Sequence, residues 1–123
     1  MIIGYHHTQV TAPPGSAEKV REFYGKILGL PEIPVPDVMK NFGLIWFKVG
    51  DRELHVGTED GVDRKTRAHL AYEVDGIADW RKRLASHGIA LIDQPVIPGH
   101  DRFHLFDPFG NRIEIIGRTA TKS

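Results

Sequence analysis

No cysteine occurs among the 123 residues, which removes a disulfide framework, a thiolate zinc site and a cysteine nucleophile together. Charge of one sign is also missing. Sixteen Lys and Arg balance sixteen Asp and Glu, so no overall field draws the chain to nucleic acid or to an anionic membrane. No run of apolar residues approaches the length of a membrane span, and Met1-Ile2-Ile3-Gly4-Tyr5-His6-His7 lacks the basic region and apolar stretch of a signal peptide. The sequence therefore predicts a soluble, cytoplasmic protein with a small-molecule partner. Hydrophobic content of 41% suits one folded domain without staples. Against this neutral background stand seven histidines, a residue that titrates near neutral pH and is the commonest transition-metal ligand.

The order of elements reads twice. A strand over 3–11 runs into Pro13-Pro14-Gly15, and Ser16 offers an N-cap oxygen to a helix ending near Leu28. Ala17, Val20, Phe23, Tyr24 and Ile27 share one helical stripe, and Gly29 sits where a left-handed C-cap belongs. A stretch broken by Pro31, Pro34 and Pro36 leads to strands over 43–49 and 52–58, joined by the hairpin signal Gly50-Asp51. Then the order restarts. A strand over 67–74 is followed by Asp75 as a cap, a helix carrying Ile77, Trp80 and Leu84, Gly88 as its stop, and a strand over 89–92. Strands over 102–106 and 112–116 close around Asp107-Pro108-Phe109-Gly110-Asn111, a dense turn signal. His7 and His69 are 62 residues apart, an offset that lays helix on helix. The chain reads as α+β, a single domain over 1–123 made of two βαβββ modules, about 3–60 and 65–118, forming a curved mixed sheet around a cavity.

Side chains alternate across a strand, which separates a helix-packed face from an open one. In the strand over 67–74, Ala68, Leu70, Tyr72 and Val74 form the apolar face and leave His69 on the other; over 112–116, Ile113 and Ile115 leave Arg112 and Glu114. Leu54 and Val56 likewise leave Glu53 and His55, while His7 shares a face with Tyr5, Gln9 and Thr11. His7 and His69 thus open the two modules, and His55 and Glu114 lie in their last strands, 48 and 45 residues on. If the modules enclose a shared cavity, four ligand-type side chains meet in it. Three imidazoles and a carboxylate suit one divalent transition metal, Zn, Ni, Fe, Co or Mn, better than Mg or Ca.

From about Tyr5 to Gly117 the chain resembles the vicinal oxygen chelate superfamily of glyoxalase I, extradiol dioxygenases and fosfomycin and bleomycin resistance proteins. His7-Thr8-Gln9-Val10, Glu22-Phe23-Tyr24 and Ile27-Leu28-Gly29-Leu30 are similar to the family's opening strand, helix and exit. The segment from Phe103-His104-Leu105-Phe106-Asp107-Pro108 through Phe109-Gly110-Asn111-Arg112-Ile113-Glu114 resembles its closing hairpin. The resemblance implies metal ligands at His7, His55, His69 and Glu114, with Glu114 also the general base. It implies a metal that acts as a Lewis acid on neighbouring substrate oxygens. His104, with Arg102 on the same strand face, matches a position that points into the cavity in the fosfomycin-resistance relatives, which implies substrate contact for both. Short members of the family form homodimers, with modules paired within one chain or exchanged between two.

Each of these residues also has a plainer reading. His7, His69 and Glu114 could be polar residues on an open sheet face, His55 a polar contact behind the metal, and His104 and Arg102 ordinary strand polarity. His6, on the face opposite His7, His87 in a helix's last turn, and His100 in a loop read as structural or solvated, as do Lys82 and Arg83. Trp46, Phe47 and Trp80 read as core, with room for one aromatic of the third strand to line the cavity. Four protein ligands leave two metal positions open and favour a redox-neutral isomerase, epimerase or lyase. Three would favour a ring-cleaving dioxygenase. The loop Ile97-Pro98-Gly99-His100-Asp101 departs from that of fosfomycin thiol transferases. A drug-binding module of the bleomycin-resistance type has no use for the four ligand-type residues. The sequence leaves open the substrate and the metal.

Overall fold

In the computed structural model, which describes residues 1–119, the chain divides into two compact units, Met1–Arg64 and Lys65–Ser123. Each unit is a βαβββ module with its own four-stranded mixed sheet.

In the first unit, β1 (His7–Ala12) is followed by α1 (Ala17–Val20), β2 (Glu32–Ile33), β3 (Ile45–Val49) and β4 (Arg52–Thr58), with spatial order β1-β4-β3-β2. β1 runs parallel to β4, pairing His7 with Glu53 and Gln9 with His55; β3 runs antiparallel to β4, pairing Trp46 with His55. The Gly50-Asp51 turn forms as expected, with Gly50 at φ +58°, a conformation that costs a side-chain-free residue little. β2 lies within the proline-broken stretch.

The first helix departs from expectation. Only Ala17–Val20 is α-helical; Arg21–Ile27 continues as a π-helix, closed by the Leu28 N–H donating to the Phe23 carbonyl at 2.9 Å. The wider π turn rotates consecutive residues less, which keeps two adjacent rings, Phe23 and Tyr24, on the inward side, edge to face with centroids 4.9 Å apart. Val20 and Leu28 join them in the core, whereas Ala17 is exposed. Ser16 makes no side-chain cap bond. Gly29, at φ +74°, ends the element where the sequence places it.

In the second unit, β5 (His69–Glu73), α2 (Ile77–Ser86), β6 (Ile92–Asp93), β7 (His100–Phe106) and β8 (Arg112–Arg118) give the order β5-β8-β7-β6. β5 is parallel to β8 and β7 antiparallel to it, so Ala71 and His104 flank Glu114. The cap of α2 is Gly76 in the left-handed conformation, φ +65°, not Asp75. A tight turn out of β5 needs that backbone angle at residue 76, which glycine supplies. His100, expected in a loop, opens β7, bonded across the strand to Arg118.

Each sheet buries one face beneath its helix. Phe47 and Leu54 on one side, and Phe103, Leu105 and Leu84 on the other, are fully buried. The two closing hairpins bring the opposite faces' polar residues into register.

Candidate metal centre

Asp107 sets the geometry of the second unit's polar face. Its buried carboxylate accepts from the Phe109 N–H (2.9 Å), the Asn111 N–H (2.8 Å) and the Asn111 side-chain amide (2.7 Å), while its own N–H donates to the Asn111 carbonyl at 2.9 Å. Four bonds across one turn fix where β8 begins. That register leaves His104, Arg112 and Glu114 on one face of neighbouring strands.

Glu114 is 5% exposed, deeper than an open sheet face would hold it. Three side chains converge on its Oε1: His104 Nε2 at 2.8 Å, His69 Nε2 at 3.2 Å and Arg102 Nη1 at 3.2 Å. A buried carboxylate requires such compensation. One ligand atom each from His69, His104 and Glu114 all lie within 4.8 Å of one another, the spacing of a metal-binding group.

The hydrogen bonds of His69 decide what its ring can offer. Its Nδ1 lies 2.9 Å from the Arg67 carbonyl, which only accepts, so Nδ1 carries a hydrogen and Nε2 is the nitrogen left for a proton or a metal ion. That nitrogen faces the Glu114 carboxylate at 3.2 Å. Two acceptors at this distance need a positive atom between them, a proton or a metal ion. A backbone carbonyl fixing the far nitrogen of an imidazole is the usual support of a ligating histidine. The donor set therefore fits a divalent transition ion.

The first unit's polar face carries His7, His55, Glu53 and Trp46. His55, also 5% exposed, is sandwiched: the Trp46 ring stacks on it at 3.8 Å and 1°, and the His7 ring at 4.0 Å and 18°. Its Nε2 lies 2.9 Å from Glu53 Oε1. Trp46 is thus the third-strand aromatic that lines the polar face, while Phe47 is core. His6 does not point away from His7 as its place in the alternation suggests. The residue precedes β1, where strand alternation does not hold, and its Nδ1 lies 3.1 Å from that of His7. The His7 pKa is held below its usual value, first by desolvation and then by the charges of His55 and His6, with Glu53 acting in the opposite direction.

Within their units, then, the structure joins His7 to His55 and His69 to Glu114. It adds two partners that the sequence reading did not assign, Glu53 and Arg112, the latter with Nη1 3.0 Å from His104 Nδ1. Strand alternation could have found both, since each lies two residues before the ligand-type residue of its last strand and on the same face, Glu53 before His55 and Arg112 before Glu114.

Comparison with known proteins agrees with this framework. A glyoxalase family protein from Bacillus anthracis is 42% identical, with 97% of this chain and 98% of that chain covered and a TM-score of 0.91. A glyoxalase/dioxygenase from Nostoc punctiforme is 22% identical over 96% and 92% of the two chains, TM-score 0.79. A Glu-to-Gln mutant of the fosfomycin resistance protein FosX from Listeria monocytogenes, in complex with Mn(II) and 1S,2S-dihydroxypropylphosphonic acid, is 18% identical over 97% and 95%, TM-score 0.78. The last two likenesses concern the fold alone. No curated protein sequence matches the chain. Among the described residues no helix is long and apolar enough to cross a membrane. The sequence pattern of one family runs through residues 4–115, across both βαβββ units, and on that match the chain belongs to the Glyoxalase/Bleomycin resistance protein/Dioxygenase superfamily, the vicinal oxygen chelate group.

Proposed function

We propose that the protein is a divalent-metal-dependent enzyme of the redox-neutral, glyoxalase-like kind, an isomerase, epimerase or lyase acting on a small substrate that chelates through neighbouring oxygens. His69 and Glu114 are its principal ligands, with His7 and His55 completing the set and Glu114 also moving the proton. The observation that carries this reading is His69 Nε2 facing the buried Glu114 carboxylate at 3.2 Å, with the ring's Nδ1 already held by a backbone carbonyl. When bound, the metal supplies Lewis-acid polarisation of the substrate oxygens. The chain's own residues do the rest. Arg102, 3.2 Å from Glu114 Oε1, offsets carboxylate charge and presents further guanidinium donors to an anionic oxygen. His104, 2.8 Å from Glu114 Oε1, acts through that carboxylate. Trp46 and His7 hold the His55 ring flat between them, so that it meets a ligand in one orientation. The protein works in the cytoplasm as a homodimer with a small-molecule substrate.

A second reading has a specific support: Glu53 already holds His55 Nε2 at 2.9 Å, and without His55 the set is two imidazoles and one carboxylate, His7, His69 and Glu114, the composition of the facial triad of oxygen-activating iron enzymes. Selective Fe(II) binding with oxygen uptake on catechols would favour it. Absence of any metal binding would leave a drug-binding module of the bleomycin-resistance kind.

Metal titration by calorimetry, with elemental analysis of the purified protein, tests the proposal. Glu114→Gln and His69→Ala are each expected to weaken Ni, Zn or Co binding by about 100-fold or more, beyond what loss of a supporting contact does. His55→Ala should cost about tenfold, because Glu53 already occupies its Nε2. Wild-type affinity in both the Glu114 and His69 variants would overturn the ligand assignment.

A further inference from the structure

Two histidines meet the same carboxylate oxygen, and their far nitrogens are held by groups of opposite character. His69 Nδ1 faces a carbonyl, which accepts. His104 Nδ1 faces Arg112 Nη1 at 3.0 Å, and a guanidinium carries donors only. His104 Nδ1 must therefore accept, which places the ring hydrogen on Nε2, where it points at Glu114 Oε1 at 2.8 Å. Distances alone group His69 and His104 as equivalent metal donors. The tautomers separate them.

We infer that Arg112 and His104 form a two-link hydrogen-bond chain that fixes the position of the Glu114 carboxylate, so that His104 is a positioning residue and neither a third metal ligand nor a substrate contact. Both ring nitrogens are spent within the chain, Nδ1 on Arg112 and Nε2 on Glu114. To ligate through Nε2 the ring would have to lose that hydrogen or move it to Nδ1, where it would oppose the Arg112 donor. Ligation through Nδ1 would displace Arg112.

The surroundings hold the chain in place. His104 is 5% exposed and lies directly across from Glu114 in the β7–β8 ladder, so the contact needs no reach by a flexible side chain. Arg112 follows the turn pinned by Asp107, and its guanidinium lies 4.9 Å over the Phe106 ring, with which it is paired across the ladder. Its Nε is buried without a partner among the described residues. The ring contact and the ladder position hold the guanidinium where its Nη1 meets His104 Nδ1.

The chain's consequence for function rests on Glu114 being the ligand and base proposed above. For a carboxylate with both duties, a donor on Oε1 settles which oxygen is already engaged and keeps the group from rotating.

The decisive measurement is the imidazole nitrogen spectrum of the 15N-labelled wild-type protein without metal, at a pH well above the ordinary imidazole value. His104 is expected to show a protonated Nε2 and a bare Nδ1, and His69 the reverse. A protonated Nδ1 on His104 would overturn the inference. In the metal-loaded protein, His104→Phe should weaken binding about 10- to 100-fold. His104→Gln should restore affinity to within a few-fold of wild type, since an amide can accept from Arg112 and donate to Glu114. Equal losses in both variants would make His104 a ligand and likewise overturn it. If wild-type protein binds no metal while the His104 tautomer is as expected, the hydrogen-bond chain stands and the metal-enzyme reading falls.

Discussion

In β4, His55 has Gln9 across from it on the parallel side and Trp46 on the antiparallel side; in β8, Glu114 has Ala71 and His104 in the same two places. Two residues earlier, Glu53 lies across from His7 and Arg112 across from His69. The scaffold is repeated and the chemistry inverted. Where the last strand carries an imidazole, an acid and an aromatic plane support it, at 2.9 and 3.8 Å. Where it carries a carboxylate, a donating imidazole does so at 2.8 Å, itself held by an arginine at 3.0 Å. A βαβββ unit thus supplies positions, and the sign of the central group dictates its neighbours.

The comparison can be broken most severely in the core beneath these faces. Phe47 and Leu105 occupy matching places, each across from a buried aliphatic residue, Leu54 or Ile113, and each is fully buried. Phe47→Ala should cost about 4 kcal/mol and Leu105→Ala about 3 kcal/mol in urea unfolding. The larger value for Phe47 follows from its larger side chain and from the ring it shows to Tyr24, at 6.0 Å between centroids. A cost below about 1 kcal/mol at either position would mean that its module does not depend on that layer.

This correspondence explains what the sequence could and could not disclose. Strand alternation is a local signal, so the faces holding His7, His55, His69 and Glu114 were legible from apolar neighbours such as Leu54, Val56, Ile113 and Ile115. The pairings of Trp46 with His55 and of His104 with Glu114 were not, because a cross-strand neighbour depends on register, which a turn sets from outside the strand. Yet the turns were themselves legible. Gly50-Asp51 places Trp46 across from His55, and the Asp107 turn places His104 across from Glu114. The π-helix over Arg21–Ile27 had no such signal. The stripe Val20, Phe23, Tyr24 fits an α-helix equally well, and what selects the wider turn is the demand to bury both rings.

A second pair of matching features lies at the helix edges. Arg21 grips Glu32 with two nitrogens, at 2.8 and 3.0 Å, and Arg81 grips Asp101 likewise, at 3.2 and 2.7 Å. The second clamp is less exposed, with side chains at 32% and 36% against 53% and 41%, and Arg81 also reaches Asp93 and lies 4.7 Å over the Phe103 ring. Arg81→Met should therefore destabilise by about 1 kcal/mol and Arg21→Met by a few tenths, roughly as exposed pairs do. Each arginine holds its partner's carboxyl below the ordinary values of 3.8 for Asp101 and 4.5 for Glu32. A folded-state pKa below the unfolded one contributes stability above the unfolded value and loses it as pH falls through the folded one. The stability gap between wild type and Arg81→Met should consequently be constant at neutral pH and close on the acid side of 3.8. A gap that persists in strong acid would assign the effect to the arginine's packing on Phe103.

The smallest effect concerns the balance of charges on the first unit's polar face. His7 is held below its usual pKa by desolvation and by its histidine neighbours, and Glu53 alone among the charges acting on it pulls the other way. Glu53→Gln removes that pull while leaving an amide beside His55 Nε2. The His7 titration, followed through its ring protons, should move further down. The shift reads the Glu53 charge directly, since desolvation and the His6 and His55 contributions stay in place. A movement upward would mean that Glu53 acts on His7 mainly by holding His55 against it, through the 2.9 Å contact and the 4.0 Å stack, so that release of His55 relieves more repulsion than the lost carboxylate had offset.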